Sequence, residues 1–71
     1  MTVFSNHAIR QCQIRKIAFD RVSAVSDRYR GLLTSLPIRI PTKGLTVVAC
    51  LENNLPYIIT AFEPGSDYAA A

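Results

Sequence analysis

The residues best equipped for chemistry in this 71-residue chain are its cations, and they are unevenly placed. All eight Lys and Arg residues fall within residues 1–43, where the only acidic residues are Asp20 and Asp27, so this part carries +6. Residues 44–71 hold three acidic residues and no cation, so they carry −3. A split this sharp predicts one electropositive face that meets an anionic partner.

The remaining reactive side chains do not form a recognised metal or disulfide pattern. Cys12 and Cys50 are too few for a disulfide framework, and together with the single histidine, His7, they lack the ligand spacing of a zinc site. We therefore expect both thiols to be reduced and buried, and we expect no metal or other cofactor.

The hydrophobic pattern bears on location and assembly. The longest apolar run, residues 47–51, is far too short to span a bilayer, and no basic segment precedes a long apolar run at the N-terminus. These features predict a cytoplasmic protein with no membrane partner. An apolar content of 49% predicts a tightly packed domain and leaves a homodimer open as an alternative.

Two helices are predicted in the basic part of the chain. A short β-prone segment, residues 2–4, is followed by Ser5 and Asn6, either of which can cap a helix by accepting a bond from its first amides. Helix one is predicted over residues 7–15. Its packing face is predicted to hold Ala8, Ile9 and Cys12.

Helix two is predicted over residues 17–30, where apolar side chains recur at spacings of four, three and four. This apolar stripe consists of Ala18, Val22, Val25 and Tyr29. Gly31 is expected to end the helix. A helix-turn-helix interpretation of the two helices is open, although residues 15–17 lack the usual glycine and that motif would leave the sheet unexplained.

The apolar period changes from residue 36 onward to the alternation typical of strands. Residues 36–40 predict an edge strand, because Pro37 and Pro41 cannot donate to a ladder, and residues 42–44 predict a turn. Residues 45–51 and 57–62 predict an antiparallel hairpin joined by residues 52–56. Its predicted register pairs Leu51 with Tyr57, Cys50 with Ile58, and Val48 with Thr60.

These elements together predict a single α+β domain over residues 1–65, with a flexible tail over residues 66–71. The domain is expected to contain a short first strand and two helices packed on an antiparallel sheet of three or four strands.

Several of these segments resemble one family of small bacterial and phage domains. The opening Phe4-Ser5-Asn6-His7-Ala8 is followed by Gln11, Arg15 and Ile17, and the chain ends in the strand Ile58-Ile59-Thr60-Ala61-Phe62. This arrangement is similar to the RelE and BrnT toxins and to the toxin tips of contact-dependent systems, which share a barnase-like or RelE-like ribonuclease fold. The final aromatic departs from the family pattern, because Phe62 replaces a tyrosine.

The resemblance implies metal-independent cleavage of RNA by a toxin-like endoribonuclease held in check by an antitoxin. Such cleavage needs an acid or base and groups that hold the phosphate as charge develops. Carried over by position, His7 would be the acid or base, Gln11 and Arg15 would hold the phosphate, and Thr60 would supply a hydroxyl. Residues at i, i+4 and i+8 drift only about 80° around a helix, so the first three can share one face.

A surface that binds nucleic acid is the second expectation, and it does not require catalysis. The side chains expected to form it are Arg10, Arg21, Arg28, Arg30, Arg39 and Lys43. The alternative function is a non-catalytic phage or mobile-element protein that blocks a host nucleoprotein or a nucleic-acid site through this basic face.

Each of these residues also has a structural interpretation. His7 can be an ordinary first-turn residue, Thr60 a strand residue, and Tyr29 a core residue rather than a platform for a base. Arg39 and Lys43 can serve to discourage pairing at a sheet edge.

Overall fold

The computed structural model describes residues 2–63 and contains two helices on a four-stranded sheet. The elements in chain order are β1 (Val3–Phe4), α1 (Asn6–Arg15), α2 (Phe19–Arg28), a short 3-10 helix (Arg30–Leu32), β2 (Ile38–Thr42), β3 (Leu45–Glu52) and β4 (Leu55–Phe62). The predicted α+β class is therefore confirmed. The predicted tail, residues 66–71, lies outside the described residues.

The sheet has the strand order β1-β4-β3-β2, so the chain's first and last strands are neighbours. β2, β3 and β4 are successive antiparallel strands, whereas β1 runs parallel to β4. The sheet is therefore mixed rather than wholly antiparallel. The predicted edge position of the Pro41 strand is confirmed, since within residues 2–63 β2 pairs only with β3 and Pro41 lies within β2.

Ser5 fixes where the first helix starts. Its hydroxyl accepts a bond from the Ala8 N–H at 2.9 Å and donates to the Ile59 carbonyl at 3.0 Å, while its own N–H donates to the Ile58 carbonyl at 2.9 Å. One residue therefore caps α1 and ties it to β4. Of the two predicted caps, Ser5 is the one used, and Asn6 is the first helical residue.

The two helices are separated by a tight turn in which Lys16 adopts a left-handed conformation at φ 57°. The Ile17 N–H then bonds to the Cys12 carbonyl at 2.9 Å, which closes the helix end as a glycine commonly does. Ile17 is buried in this connection, so the prediction that helix two starts there was wrong. The prediction that Gly31 ends the helix was also wrong: α2 ends at Arg28, and Gly31 lies inside the following 3-10 helix.

The strand boundaries also differ from those predicted. Leu36 is exposed and precedes β2, whose first residue is Ile38. Asn53 and Asn54 alone form the turn between β3 and β4, at φ 54° and 64°, because asparagine tolerates the left-handed region that a two-residue hairpin requires.

A bulge in β4 shifts the register of the hairpin by one residue, relative to the prediction, between the bulge and the β3–β4 turn. Thr60 lies opposite Val48, as predicted, but Ile58 lies opposite Ala49 and Tyr57 opposite Cys50. Ile59 is the extra residue, and its carbonyl is the one that accepts the Ser5 hydroxyl. The predicted pairs near the turn were therefore wrong by one residue.

Both helices pack on the same face of the sheet. Ala8 and Cys12 of α1 and Val22 of α2 join Val47 and Ile58 in one buried cluster. Residues that pair across strands share a face, so Val48, Thr60 and Arg39, which are paired in register, lie on the face that the helices do not cover.

A candidate anion site between α2 and the β2–β3 hairpin

A pocket of about 440 Å³ lies between α2 and the β2–β3 hairpin. Its helical wall includes Arg21 and Arg28, which are two turns apart and therefore on one side of α2. Tyr29, the residue after the helix, is half-buried and also lines the pocket, with the Arg28 guanidinium carbon 5.6 Å from its ring centroid. Helix periodicity thus brings two guanidinium groups and one aromatic ring to the same wall.

The opposite wall is the turn between β2 and β3. Lys43 and Thr42 line the pocket there, and the Thr42 hydroxyl donates to the Leu45 carbonyl at 2.6 Å. That bond orients the hydroxyl within the hairpin, so the Lys43 ammonium is the charged donor on this side. Three of the six cations expected to bind nucleic acid therefore converge on one pocket, although the first and the last of them are 22 positions apart in the chain.

Arg21 is anchored at the edge of this pocket. Its Nη2 donates to the Gly44 carbonyl at 2.9 Å, and its Nη1 lies 3.3 Å from the Glu63 carboxylate. Gly44 has φ +81°, and a Cβ there would lie 3.0 Å from Arg21 Nη2. The glycine thus permits both the turn and the close approach of the guanidinium.

The pocket carries a net positive charge. Arg21, Arg28 and Lys43 supply three positive charges, and Glu63 beside Arg21 removes one, which leaves +2. Guanidinium groups bind phosphate oxygens through paired N–H donors, and ammonium groups bind them as point charges. The arrangement is therefore suited to a phosphate group.

The other three cations expected to bind nucleic acid do not line this pocket. Arg30 donates to the Asn54 carbonyl at 2.6 Å, on the β3–β4 turn. Arg39 lies 6.0 Å from the Phe62 ring centroid, on the face of the sheet that the helices leave uncovered. Arg10 is exposed on α1. The expected basic surface is thus divided, and only its α2 and hairpin part forms a pocket.

The residues with roles implied by the toxin resemblance occupy different environments. His7 is exposed on the first turn of α1, and Gln11 is half-buried one turn further on. Arg15 is also half-buried, and its Nη1 donates to the Ala61 carbonyl at 3.0 Å, so its guanidinium binds the protein's own last strand. None of the three lines the pocket between α2 and the hairpin.

Thr60 lies on the other side of the sheet from the helical core. Its side chain is 9% exposed, and among residues 2–63 its hydroxyl has no hydrogen-bond partner. A buried hydroxyl without a partner is destabilising, because it has lost its bonds to water and gained none. The geometry therefore favours the structural interpretation of Thr60, and its catalytic role stays a prediction.

Replacing this hydroxyl gives a direct test. We expect Thr60→Val to stabilise the fold by about 1 kcal/mol, because a methyl group needs no partner. Chemical denaturation measures the change. Thr42→Val is the matched control and should destabilise the fold, since the Thr42 hydroxyl is bonded. A loss of stability in Thr60→Val would show that this hydroxyl has a partner after all.

The two cysteines are free and buried, as predicted. Burial raises the pKa of the Cys12 thiol, and the nearby Arg15 charge opposes this only in part. Burial also raises the pKa of Cys50, and the Glu52 carboxylate adds to the effect. Both thiols are therefore held in the neutral form, which is the weaker nucleophile.

A second, apolar groove of about 450 Å³ is lined by Phe4, Ile9, Gln13 and Phe19. Phe4 and Phe19 meet edge to face, with ring centroids 5.3 Å apart.

Across residues 2–63, no three His, Cys, Asp or Glu side chains are grouped closely enough to hold a metal ion. Neither described helix has the length and apolar character needed to cross a membrane.

Two contributors to the pocket were missing from the sequence-based expectations: Gly44 as the point of contact and Glu63 as a counter-charge. Tyr29 lines the pocket, although a core position was the favoured interpretation and a platform for a base the less favoured one. The spacing of Arg21 and Arg28, two turns apart on one predicted helix, was the available signal for a shared wall. The opposite wall had no such signal, because it depends on how α2 lies against the hairpin.

Comparisons with family models, with curated proteins and with solved structures gave no match to this chain.

Proposed function

We propose that this protein binds single-stranded RNA through the pocket formed by Arg21, Arg28, Tyr29 and Lys43. The observation that supports this most is the convergence of three cations from two elements around one aromatic side chain. Cations hold the phosphate backbone, and an aromatic ring offers a surface on which an unpaired base can lie. The choice of RNA follows the toxin-like resemblance of the sequence.

Binding without cleavage is the form of this proposal that the geometry supports best. A ribonuclease needs its acid, base and phosphate-binding groups around one phosphate. Arg15 is instead bonded to a backbone carbonyl, and Thr60 is buried on the sheet face opposite the helices. The chain is then a degenerate relative of the toxin-type ribonucleases, with His7 as an exposed helix residue.

The experiment that tests this is titration of a short single-stranded RNA at several salt concentrations, with gel analysis of the same samples for cleavage. We expect the logarithm of the association constant to fall linearly with the logarithm of the salt concentration. We also expect the RNA to stay intact. Cleavage that disappears in His7→Ala and Arg15→Ala would replace the binding proposal with the ribonuclease. Absence of both binding and cleavage would refute both functions.

Removing the acidic partner of the Arg21–Glu63 ion pair is expected to strengthen RNA binding. Both side chains are about half exposed, so the pair contributes little to stability, but its carboxylate competes with an incoming phosphate for Arg21. We expect Glu63→Gln to tighten RNA binding by a few-fold at low salt. Glu52→Gln, which removes the same charge from the far end of β3, is the matched control and should have a smaller effect. Equal effects in the two variants would mean that only net charge matters.

The same proposal includes the setting in which the protein acts. The free cysteines fit a reducing compartment, so we place the chain in the cytoplasm. A protein partner, whether an antitoxin, a host nucleoprotein or a second copy in a homodimer, is favoured by the exposed apolar side chains around Phe19. Blocking of a host nucleoprotein by the basic residues is the alternative function.

A further inference from the structure

The proposed binding site between α2 and the hairpin is small. It lies between Arg28 of the helix and Lys43 of the turn, and its volume of about 440 Å³ is within the range of small-molecule sites. A space of that size suits about one nucleotide. An internal nucleotide would require the strand both to enter and to leave, whereas a terminal nucleotide requires only entry.

The charge of the pocket also matches the terminal phosphate of an RNA strand better than an internal phosphodiester. The three cations and Glu63 leave +2. An internal phosphodiester carries one negative charge, whereas a phosphomonoester carries about −1.5 to −2 near neutral pH and has three strong acceptor oxygens. Three cationic donors on two walls can each meet a different oxygen of a monoester.

Two of the three cations have contacts that orient them on different sides of the pocket. Arg21 is fixed by the Gly44 carbonyl on the hairpin side, while Arg28 lies beside the Tyr29 ring on the helix side. Donors that are already oriented lose less freedom when an anion binds between them. Tyr29, half-buried at the wall, gives the attached base or ribose an apolar surface to contact.

From this combination of size, charge and wall chemistry, we propose that the pocket recognises the phosphomonoester end of a single-stranded RNA. The proposal rests on the proposed RNA-binding function and narrows it to a chain end.

The test compares one internally labelled ten-nucleotide RNA in three forms: with a 5′-phosphate, with a 3′-phosphate, and with hydroxyls at both ends. An eleven-nucleotide RNA with hydroxyl ends is the charge control, because its extra phosphodiester adds charge without a monoester. We expect at least one phosphorylated form to bind about tenfold more tightly than both hydroxyl-ended RNAs. Lys43→Ala should remove most of this difference, and Arg39→Ala, on the face of the sheet opposite the helices, should preserve it.

The outcomes separate this inference from the function on which it rests. Salt-sensitive binding of equal strength for all four RNAs would overturn the preference for an end and leave RNA binding intact. A preference that survives Lys43→Ala unchanged would place the recognition outside this pocket and also overturn the inference. Failure of every RNA to bind would overturn the proposed function itself.

Discussion

Replacing Arg28 and Lys43 together with alanine is expected to weaken RNA binding about a hundredfold. Each side chain lines the pocket, and a hydrogen bond to a charged group contributes about 1.5–3 kcal/mol, where 1.4 kcal/mol is a factor of ten. The logarithmic salt slope should also become shallower by about 1.4, since each phosphate contact on a single strand contributes about 0.7. Fluorescence anisotropy across a salt series measures both quantities.

The matched control for this variant is Arg30→Ala with Arg39→Ala. It removes the same charge from a guanidinium bonded to the β3–β4 turn and from the face of the sheet opposite the helices. We expect a loss of only a few-fold, because distant charges act through a screened field. If the control loses as much affinity as the pocket variant, the chain binds RNA through its overall charge and has no defined site.

The largest effect on stability is expected from Ile58→Ala. Ile58 is fully buried on the helix-covered face, and it pairs with Phe4 of β1 and Ala49 of β3. Truncating a buried isoleucine costs about 2–5 kcal/mol, because the surroundings do not fully close the cavity. For a chain of 71 residues, whose total stability is about 4–10 kcal/mol, that is a large share.

Thermal unfolding measures this loss, and a decrease in Tm of more than about 8 °C is expected for a domain of this size. Ile14→Ala is the matched control, since Ile14 is 65% exposed on α1 and should change Tm little. Similar shifts in the two variants would contradict the placement of Ile58 at the centre of the core.

Much of the fold could be predicted from local pattern. The change from helical spacing to strand alternation near residue 36 separates the helices from the antiparallel strands, and prolines identify β2 as an edge. Local pattern also placed Thr60 opposite Val48. These features depend on neighbouring residues, which is why one sequence suffices to find them.

The errors arose where tertiary contacts decide the local structure. At the bulge, the Ile59 carbonyl accepts a bond from Ser5, which is 54 positions earlier, and no spacing within β4 indicates this contact. Lys16 takes a left-handed conformation that usually favours glycine, so the break between the helices has no sequence signal. At the bulge the contact is with another element, whereas at Lys16 the bonds close the end of α1 itself and the following residue, Ile17, is buried in the core.

The candidate site was predictable in composition but not in location. Charge counting identified an excess of cations in residues 1–43. It could not separate the cations of the pocket from Arg15, which binds the Ala61 carbonyl, or from Arg39, which lies near Phe62. That division depends on how α2 crosses the β2–β3 hairpin, and this crossing is a property of the packed domain.

The most direct test of the central claim is an NMR titration of the full chain with a short single-stranded RNA, in which the amide signals of the protein are monitored. If the pocket binds RNA, the largest shifts should occur at Arg28, Tyr29, Lys43 and Gly44, and they should diminish as salt is added. Shifts concentrated on α1 around His7 and Gln11, or on Arg39 at the face of the sheet opposite the helices, would contradict the account.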